Sequence, residues 1–143
     1  MLQGIRVLDL TDERGNLAAQ MLASLGAEVI AVEPPGGADA RRLAPFVGDT
    51  PDPDRSLRHW ATNRGKRSVV LDYAQSSGDR AQLLDLVRTA DILFETAPPA
   101  EREALGLGVA ELTAANPALI HVSITPFGSN GPKASWQDRK SVV

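Results

Sequence analysis

Five short apolar runs, separated by helix-patterned or polar stretches, leave this chain few architectures to adopt. The runs cover residues 5–10, 29–32, 68–72, 92–95 and 119–124. Between the first two, Leu17, Met21, Leu22 and Leu25 recur at helical spacing, and Gly26 is a natural stop. Leu83, Leu84 and Val87 mark the inner face of an amphipathic helix over 79–89, and two short helices are expected near 99–105 and 109–115. Strands that alternate with helices pair in parallel through right-handed crossovers. The expected class is therefore α/β, a parallel sheet flanked by helices. Ligands in such sheets bind beyond the carboxyl ends of the strands, so the residues that follow each run matter most.

The second run shows the pattern plainly. Val29-Ile30-Ala31-Val32 ends on Glu33 and enters Pro34-Pro35-Gly36-Gly37. From there to about residue 53 the chain is rich in Pro, Gly and Asp and reads as one long irregular loop. Loops of that length in compact domains are usually functional or unstructured.

Composition narrows the function classes. A chain of 143 residues can bury one core, and with aromatics at 4% that core must be built from Ala, Leu, Val and Ile. A formal net charge of −3 argues against a general nucleic-acid binder. The absence of cysteine excludes disulfides, thiol catalysis and cysteine metal sites. His59 and His121 stand far apart without metal-ligand spacing, so no metal is expected. No segment is long and apolar enough to span a bilayer, and residues 1–6 lack the start of a secretory signal. A cytoplasmic protein that uses neither membrane nor nucleic acid is expected.

Three segments could carry chemistry. Asn63-Arg64-Gly65-Lys66-Arg67-Ser68 groups three cations around a glycine just before a strand. Such a group can hold a phosphate-rich ligand by charge-assisted bonds, or it can be a solvated basic turn. Glu95-Thr96-Ala97-Pro98-Pro99 and Thr125-Pro126-Phe127-Gly128-Ser129-Asn130-Gly131-Pro132 follow the fourth and fifth runs, where this architecture places ligands. The second of them offers backbone donors beside an aromatic ring, suited to a nucleotide or a pantetheine arm, or it is a plain Gly-Pro turn. Asp9, Glu33 and Glu95 end strands, and each is expected to cap a helix or bind backbone amides rather than act as nucleophile or base. Asp72 is expected to pair locally. No Ser-His-Asp set can be assembled, because His121 falls within a strand and His59 within the irregular segment.

Taken in order, these pieces resemble the N-terminal part of a family III coenzyme A transferase, the carnitine-CoA and formyl-CoA transferase group. The matching segments include Leu2-Gln3-Gly4-Ile5-Arg6-Val7-Leu8-Asp9-Leu10, Leu25-Gly26-Ala27-Glu28-Val29-Ile30 and Asn63 to Asp72. Ala90 to Glu95, Leu105-Gly106-Leu107-Gly108, Asn116-Pro117-Ala118-Leu119-Ile120 and Ser123-Ile124-Thr125-Pro126-Phe127-Gly128 complete the set. Each is common alone; the order and spacing together are specific. The resemblance implies a Rossmann-like sheet forming the N-terminal part of a larger domain over residues 1–137. It implies coenzyme A as substrate without a metal, an acyl-CoA and a small carboxylic acid as partners, and an interlocked homodimer for the full-length protein. It also implies an aspartate nucleophile that becomes an aspartyl-CoA intermediate and lies downstream of the Phe127-Gly128 segment. The CoA contacts then fall on Arg14, Gly15, Asn63, Lys66, Arg67, Thr96, Ala97, Thr125, Phe127 and Gly128, with no catalytic residue among them.

The chain also departs from that pattern. The family usually carries Glu-Asn-Phe where Glu95-Thr96-Ala97 stands, a basic residue where Ala104 stands, and a Gly-Pro pair after strand one where this chain has Arg14-Gly15-Asn16-Leu17. A second reading is thus a degenerate, non-catalytic CoA-binding half of a duplicated protein. A third, an NAD-binding oxidoreductase domain with Glu33 on a ribose, is disfavoured because Asp9 to Gly15 lacks the G-x-G-x-x-G turn. Residues 138–143, Asp-Arg-Lys-Ser-Val-Val, break the preceding pattern and are expected to be a non-native tail, so Asp138 is not taken for the nucleophile.

Overall fold

The computed structural model describes residues 1–134 and Trp136; the expected non-native tail lies outside them. In chain order the elements are β1 (Arg6–Leu10), α1 (Asn16–Ser24), β2 (Glu28–Glu33), α2 (Leu57–Asn63), β3 (Arg67–Val70) and α3 (Ser77–Arg88). They are followed by β4 (Ile92–Glu95), α4 (Pro99–Ala104), α5 (Val109–Ala115) and β5 (Ile120–Ser123). All four strand pairings are parallel and the order is β3-β2-β1-β4-β5. The chain builds outward from β1 through β2 to β3, then returns to the other side of β1 for β4 and β5. The strand order therefore reverses between β1 and β4, and a doubly wound sheet opens a crevice at that switch point.

Alternate residues of a strand face opposite sides, and both sides are covered here. Leu8 and Leu93 point into a core with Leu71, Leu83, Val87, Leu107 and Leu112, under α3 and α5. Val7 and Val29 point the other way, against Ala19 and Ala27. Aliphatic side chains fill both layers, as the scarcity of aromatics requires.

Three features differ from the sequence expectation. The first is which face α1 buries. Leu17 and Met21, two of the apolar residues whose helical spacing marked α1, are 55% and 58% exposed, while Asn16, Ala19 and Gln20 are buried. A small residue lets the helix approach the sheet closely, so Ala19 takes the contact and the larger side chains turn outward. The second is α2, unforeseen in a stretch read as irregular. Ser56 caps it by accepting from the His59 amide at 3.2 Å, and the same hydroxyl donates to the Leu43 carbonyl at 2.6 Å. His59 accordingly sits buried on a helix rather than in a loop. The third is the long loop itself, which holds 3-10 turns at Asp39–Arg42 and Val47–Asp49 and is pinned by Ser56.

Leu93→Ala, at a site 1% exposed, is expected to lower stability by about 2–5 kcal/mol in urea denaturation. Met21→Ser, on the outward face of α1, is expected to change it by no more than about 0.5 kcal/mol. A large loss at Met21 would mean that α1 buries the opposite face.

Candidate functional site at the switch point

The carboxyl ends of β1, β2 and β4 surround a groove of about 490 Å3. Asp12 and Arg14 line it from the turn after β1, Pro34 and Asp39 from the loop after β2, and Thr96, Ala97 and Glu101 from the segment after β4. Tyr73, which follows β3, lines it as well. Hydrogen bonds join the walls. The Asp12 amide donates to Thr96 Oγ1 at 2.9 Å, and Arg14 Nη2 donates to the Thr96 carbonyl at 3.2 Å. Arg14 also grips the Asp12 carboxylate at 2.5 Å, and that bond raises its already high pKa. Gly15 precedes α1 in a tight place: a Cβ there would lie 2.5 Å from Thr11 Cγ2 and would displace that side chain.

Of the ten expected CoA contacts, Arg14, Thr96 and Ala97 meet in this groove, with Gly15 beside Arg14. The basic segment lies elsewhere. Lys66 is buried, its Nζ donating to Asp9 Oδ2 at 2.6 Å, the Asn16 carbonyl at 2.8 Å and Asn63 Oδ1 at 2.9 Å. An ammonium has three donors, so all are used inside the protein. Burial lowers its pKa, and the Asp9 carboxylate partly opposes that shift. Asn63 is accordingly a partner of Lys66. Arg67 is exposed and pairs with Glu28 at 2.8 Å. Thr125, Phe127 and Gly128 follow β5 outside the groove, and the Phe127 ring meets Trp136 edge-on at 6.1 Å.

Residues 2–141 match the profile of CoA-transferase family III. The chain belongs to that family. It is 41% identical over 142 residues to an acetyl-CoA:oxalate CoA-transferase of Acetobacter aceti, covering 98% of this chain and 35% of the relative. It is 43% identical over 146 residues to a succinate–glutarate CoA-transferase of Agrobacterium fabrum, covering 99% and 36%. A crystal structure of a CaiB/BaiF family protein from Brucella suis superposes with a TM-score of 0.84 at 35% identity, covering 94% of this chain and 36% of that one. The chain thus spans about a third of the length of the relatives it matches.

In this family III chain two of the strand-end carboxylates, Asp9 and Glu33, bind backbone amides as expected, whereas the partners of Glu95 are side chains. Each meets a buried or half-buried cation. Asp9 pairs with Lys66 and accepts from the Thr11 amide at 3.0 Å. Glu33 takes Arg41 at 2.5 Å, the Ser68 hydroxyl at 2.6 Å and the Ala38 amide at 2.9 Å. Hydrogen bonding from Arg41 outweighs burial and brings the Glu33 carboxyl down to about 2. Glu95 takes Arg102 at 2.6 Å, with the His121 imidazole 3.3 Å away. Burial alone would raise the Glu95 pKa, but bonds from His121, Ser123 and Arg102 bring it below the usual range. Arg41 and Arg102 were not singled out in the sequence, and neither were Tyr73 and Glu101. A lone cation on a short helix seven residues after Glu95 was the available signal for Arg102.

Two outcomes follow. Lys66→Ala strands a buried carboxylate and is expected to cost about 3–5 kcal/mol in chemical denaturation, while pairing Lys66→Met with Asp9→Leu should recover much of it. Because Glu33 titrates lower in the folded than in the unfolded chain, its stabilisation is full above its ordinary pKa of 4.5 and is lost as pH falls toward about 2. Urea midpoints measured from about pH 5 down to about pH 2.5 should fall less steeply in Glu33→Gln than in the parent. Parallel slopes would show that Glu33 does not carry that linkage.

Proposed function

We propose that this chain forms the CoA-binding part of an acyl-CoA:carboxylate CoA-transferase, with the switch-point groove as the contact for coenzyme A. The observation that carries the reading is the convergence of Arg14, Thr96 and Ala97 at the point where the strand order reverses. Family membership supports the reaction class. In the reaction, an aspartate oxygen attacks the thioester carbonyl and CoA thiolate leaves, giving an acyl-aspartyl anhydride. The thiolate then attacks the aspartyl carbonyl, releasing the donor acid and leaving an aspartyl-CoA thioester, and the acceptor carboxylate repeats these steps in reverse. Asp9, Glu33 and Glu95 are committed to cations, so none of the three is assigned as that nucleophile. The nucleophile, the acceptor acid and an interlocked homodimer belong to the longer protein.

One observation favours a second reading, a CoA-binding half without catalysis. The groove holds three carboxylates, Asp12, Asp39 and Glu101, against the single guanidinium of Arg14. That balance is poor for a pyrophosphate and agrees with Thr96, Ala97 and Ala104 standing where the family carries other residues. The oxidoreductase reading has less support, because Glu33, its ribose contact, is held by Arg41, Ser68 and Ala38.

Calorimetric titration separates these readings. Coenzyme A is expected to bind and NAD not to compete, and Arg14→Ala should weaken binding about tenfold through loss of a charge-assisted bond. Displacement of CoA by NAD would overturn the assignment. Joining this chain to the remainder of a family member tests catalysis: CoA transfer supports the transferase, and binding without transfer supports the second reading.

A further inference from the structure

One amide side chain stands between two groups that compete for it. Asn63, at the end of α2, accepts from Lys66 Nζ through Oδ1 at 2.9 Å. Its Nδ2 donates to the His59 carbonyl at 3.2 Å and lies 3.2 Å from His59 Nδ1. An ammonium only donates and a carbonyl only accepts, so these two partners fix which end of the amide faces which way. His59 Nδ1 therefore meets a donor and must be the acceptor. The neutral imidazole then carries its proton on Nε2, and Nδ1 is the ring atom whose character a second proton changes.

The surroundings favour the neutral ring. His59 is 9% exposed and borders a cavity of about 100 Å3 with Ala31 and Glu33 of β2, Arg41 of the first 3-10 turn, and Lys66 and Ser68. The nearby carboxylates are taken. Glu33 and Asp54 serve Arg41, Asp9 serves Lys66, and Glu28 serves Arg67 at the same cavity. Helix α1, packed on α2, carries no titratable side chain, and Arg58 and Arg64 on the other side are exposed. Burial, then Arg41 and Lys66, hold the ring's pKa below its ordinary 6.5, against the pull of Glu33 and Asp54.

We propose that His59, Asn63 and Lys66 form a proton-operated clamp on the wall of the groove. Once Nδ1 binds a proton, two donors face each other. A buried ring has little room to swing, whereas an amide turns end over end in nearly the same volume. Turning it gives the imidazolium Oδ1 as acceptor and takes that oxygen from Lys66. Lys66 keeps Asp9 and the Asn16 carbonyl, while Nδ1–H has only the amide, so the oxygen goes to His59. The loss reaches the groove because Lys66 ties Asn63 to the turn after β1. That turn holds Arg14, and the Gly15 and Asn16 amides donate to the Asp12 carbonyl there at 3.1 and 3.2 Å. The sign is fixed: a bound proton loosens the wall and its release locks it. The clamp acts whichever ligand the groove takes, so it stands apart from the coenzyme A reading.

The test is a pH titration of the isotope-labelled chain by NMR, from about 7.5 to about 5, a range that spans the ordinary histidine pKa and stays above ordinary carboxylate values. The neutral His59 ring is expected to show the nitrogen shifts of the Nε2–H tautomer and to titrate with a midpoint below 6.5. The Asn63 Nδ2 protons, the Lys66 Nζ signal and the Gly15 and Asn16 amides should move with that same midpoint. In His59→Gln those signals should hold still. In His121→Gln, which removes the imidazole on β5 beside Glu95, they should move as in the parent. The parent and His121→Gln decide the matter even where His59→Gln does not fold. An Nδ1–H tautomer, a ring that stays neutral throughout, or a His59 titration that leaves Asn63 and Gly15 unmoved overturns the proposal. Movement that disappears in His121→Gln does the same.

Discussion

The geometry of the groove depends on one buried ammonium. Lys66 enters just before β3, yet its three donors reach the end of β1 through Asp9, the first turn of α1 through the Asn16 carbonyl, and the end of α2 through Asn63. Asp9 uses its other oxygen on the Thr11 amide and hydroxyl, so the turn after β1 is held from both sides. Burying such a pair has a large desolvation cost, offset only when the remaining hydrogen bonds are made, and here they are. What the arrangement supplies is position. With the β1 turn fixed, Asp12 and Arg14 stand where Thr96 can bridge to them, and the β1 and β4 walls face each other at a set width.

The same device recurs at each strand end that faces the crevice. Asp9 with Lys66, Glu33 with Arg41 and Glu95 with Arg102 are carboxylates neutralised by cations, two from the segment that follows the strand and Lys66 from the turn before β3. These strand-end carboxylates therefore serve architecture, through cations that the linear reading did not pair with them. The potential felt by a ligand is left to the residues that remain in the groove, Asp12, Arg14, Asp39 and Glu101. Three of those four are acidic, so phosphate groups gain little from long-range attraction there and must rely on Arg14 and on backbone donors.

Much of this was legible in the sequence because it rests on local pattern. The five apolar runs mark the five strands to within a residue or two, and the strand-end rule directs attention to Thr96 and Ala97, while Arg14 rests on the family resemblance. The misses have a common cause, which is that burial of a polar or small residue is set by tertiary packing. Ala19 took the sheet contact that the spacing of Leu17 and Met21 suggested for larger side chains. The α2 helix carries too few apolar residues to show a period, and its start depends on Ser56, whose hydroxyl is anchored thirteen residues upstream. The cations of the basic segment look alike in sequence, yet Lys66 is inside and Arg67 is outside. Nothing in the spacing of Asn63 to Ser68 tells these two fates apart.

The contrast between the groove rim and the interior follows from where each carboxylate's partner comes from. Asp12 meets its guanidinium at the rim, where both groups are half-exposed and water screens them, so the outer groove keeps a net negative field. Glu95 meets Arg102 in the interior, where a single short bond balances the charge, and Glu95 Oε2, Arg102 Nε and His121 Nε2 lie buried there without a hydrogen-bond partner among the described residues. Charge is thus balanced in the interior by the helix that follows β4, whereas at the rim it is left to water and to Arg14.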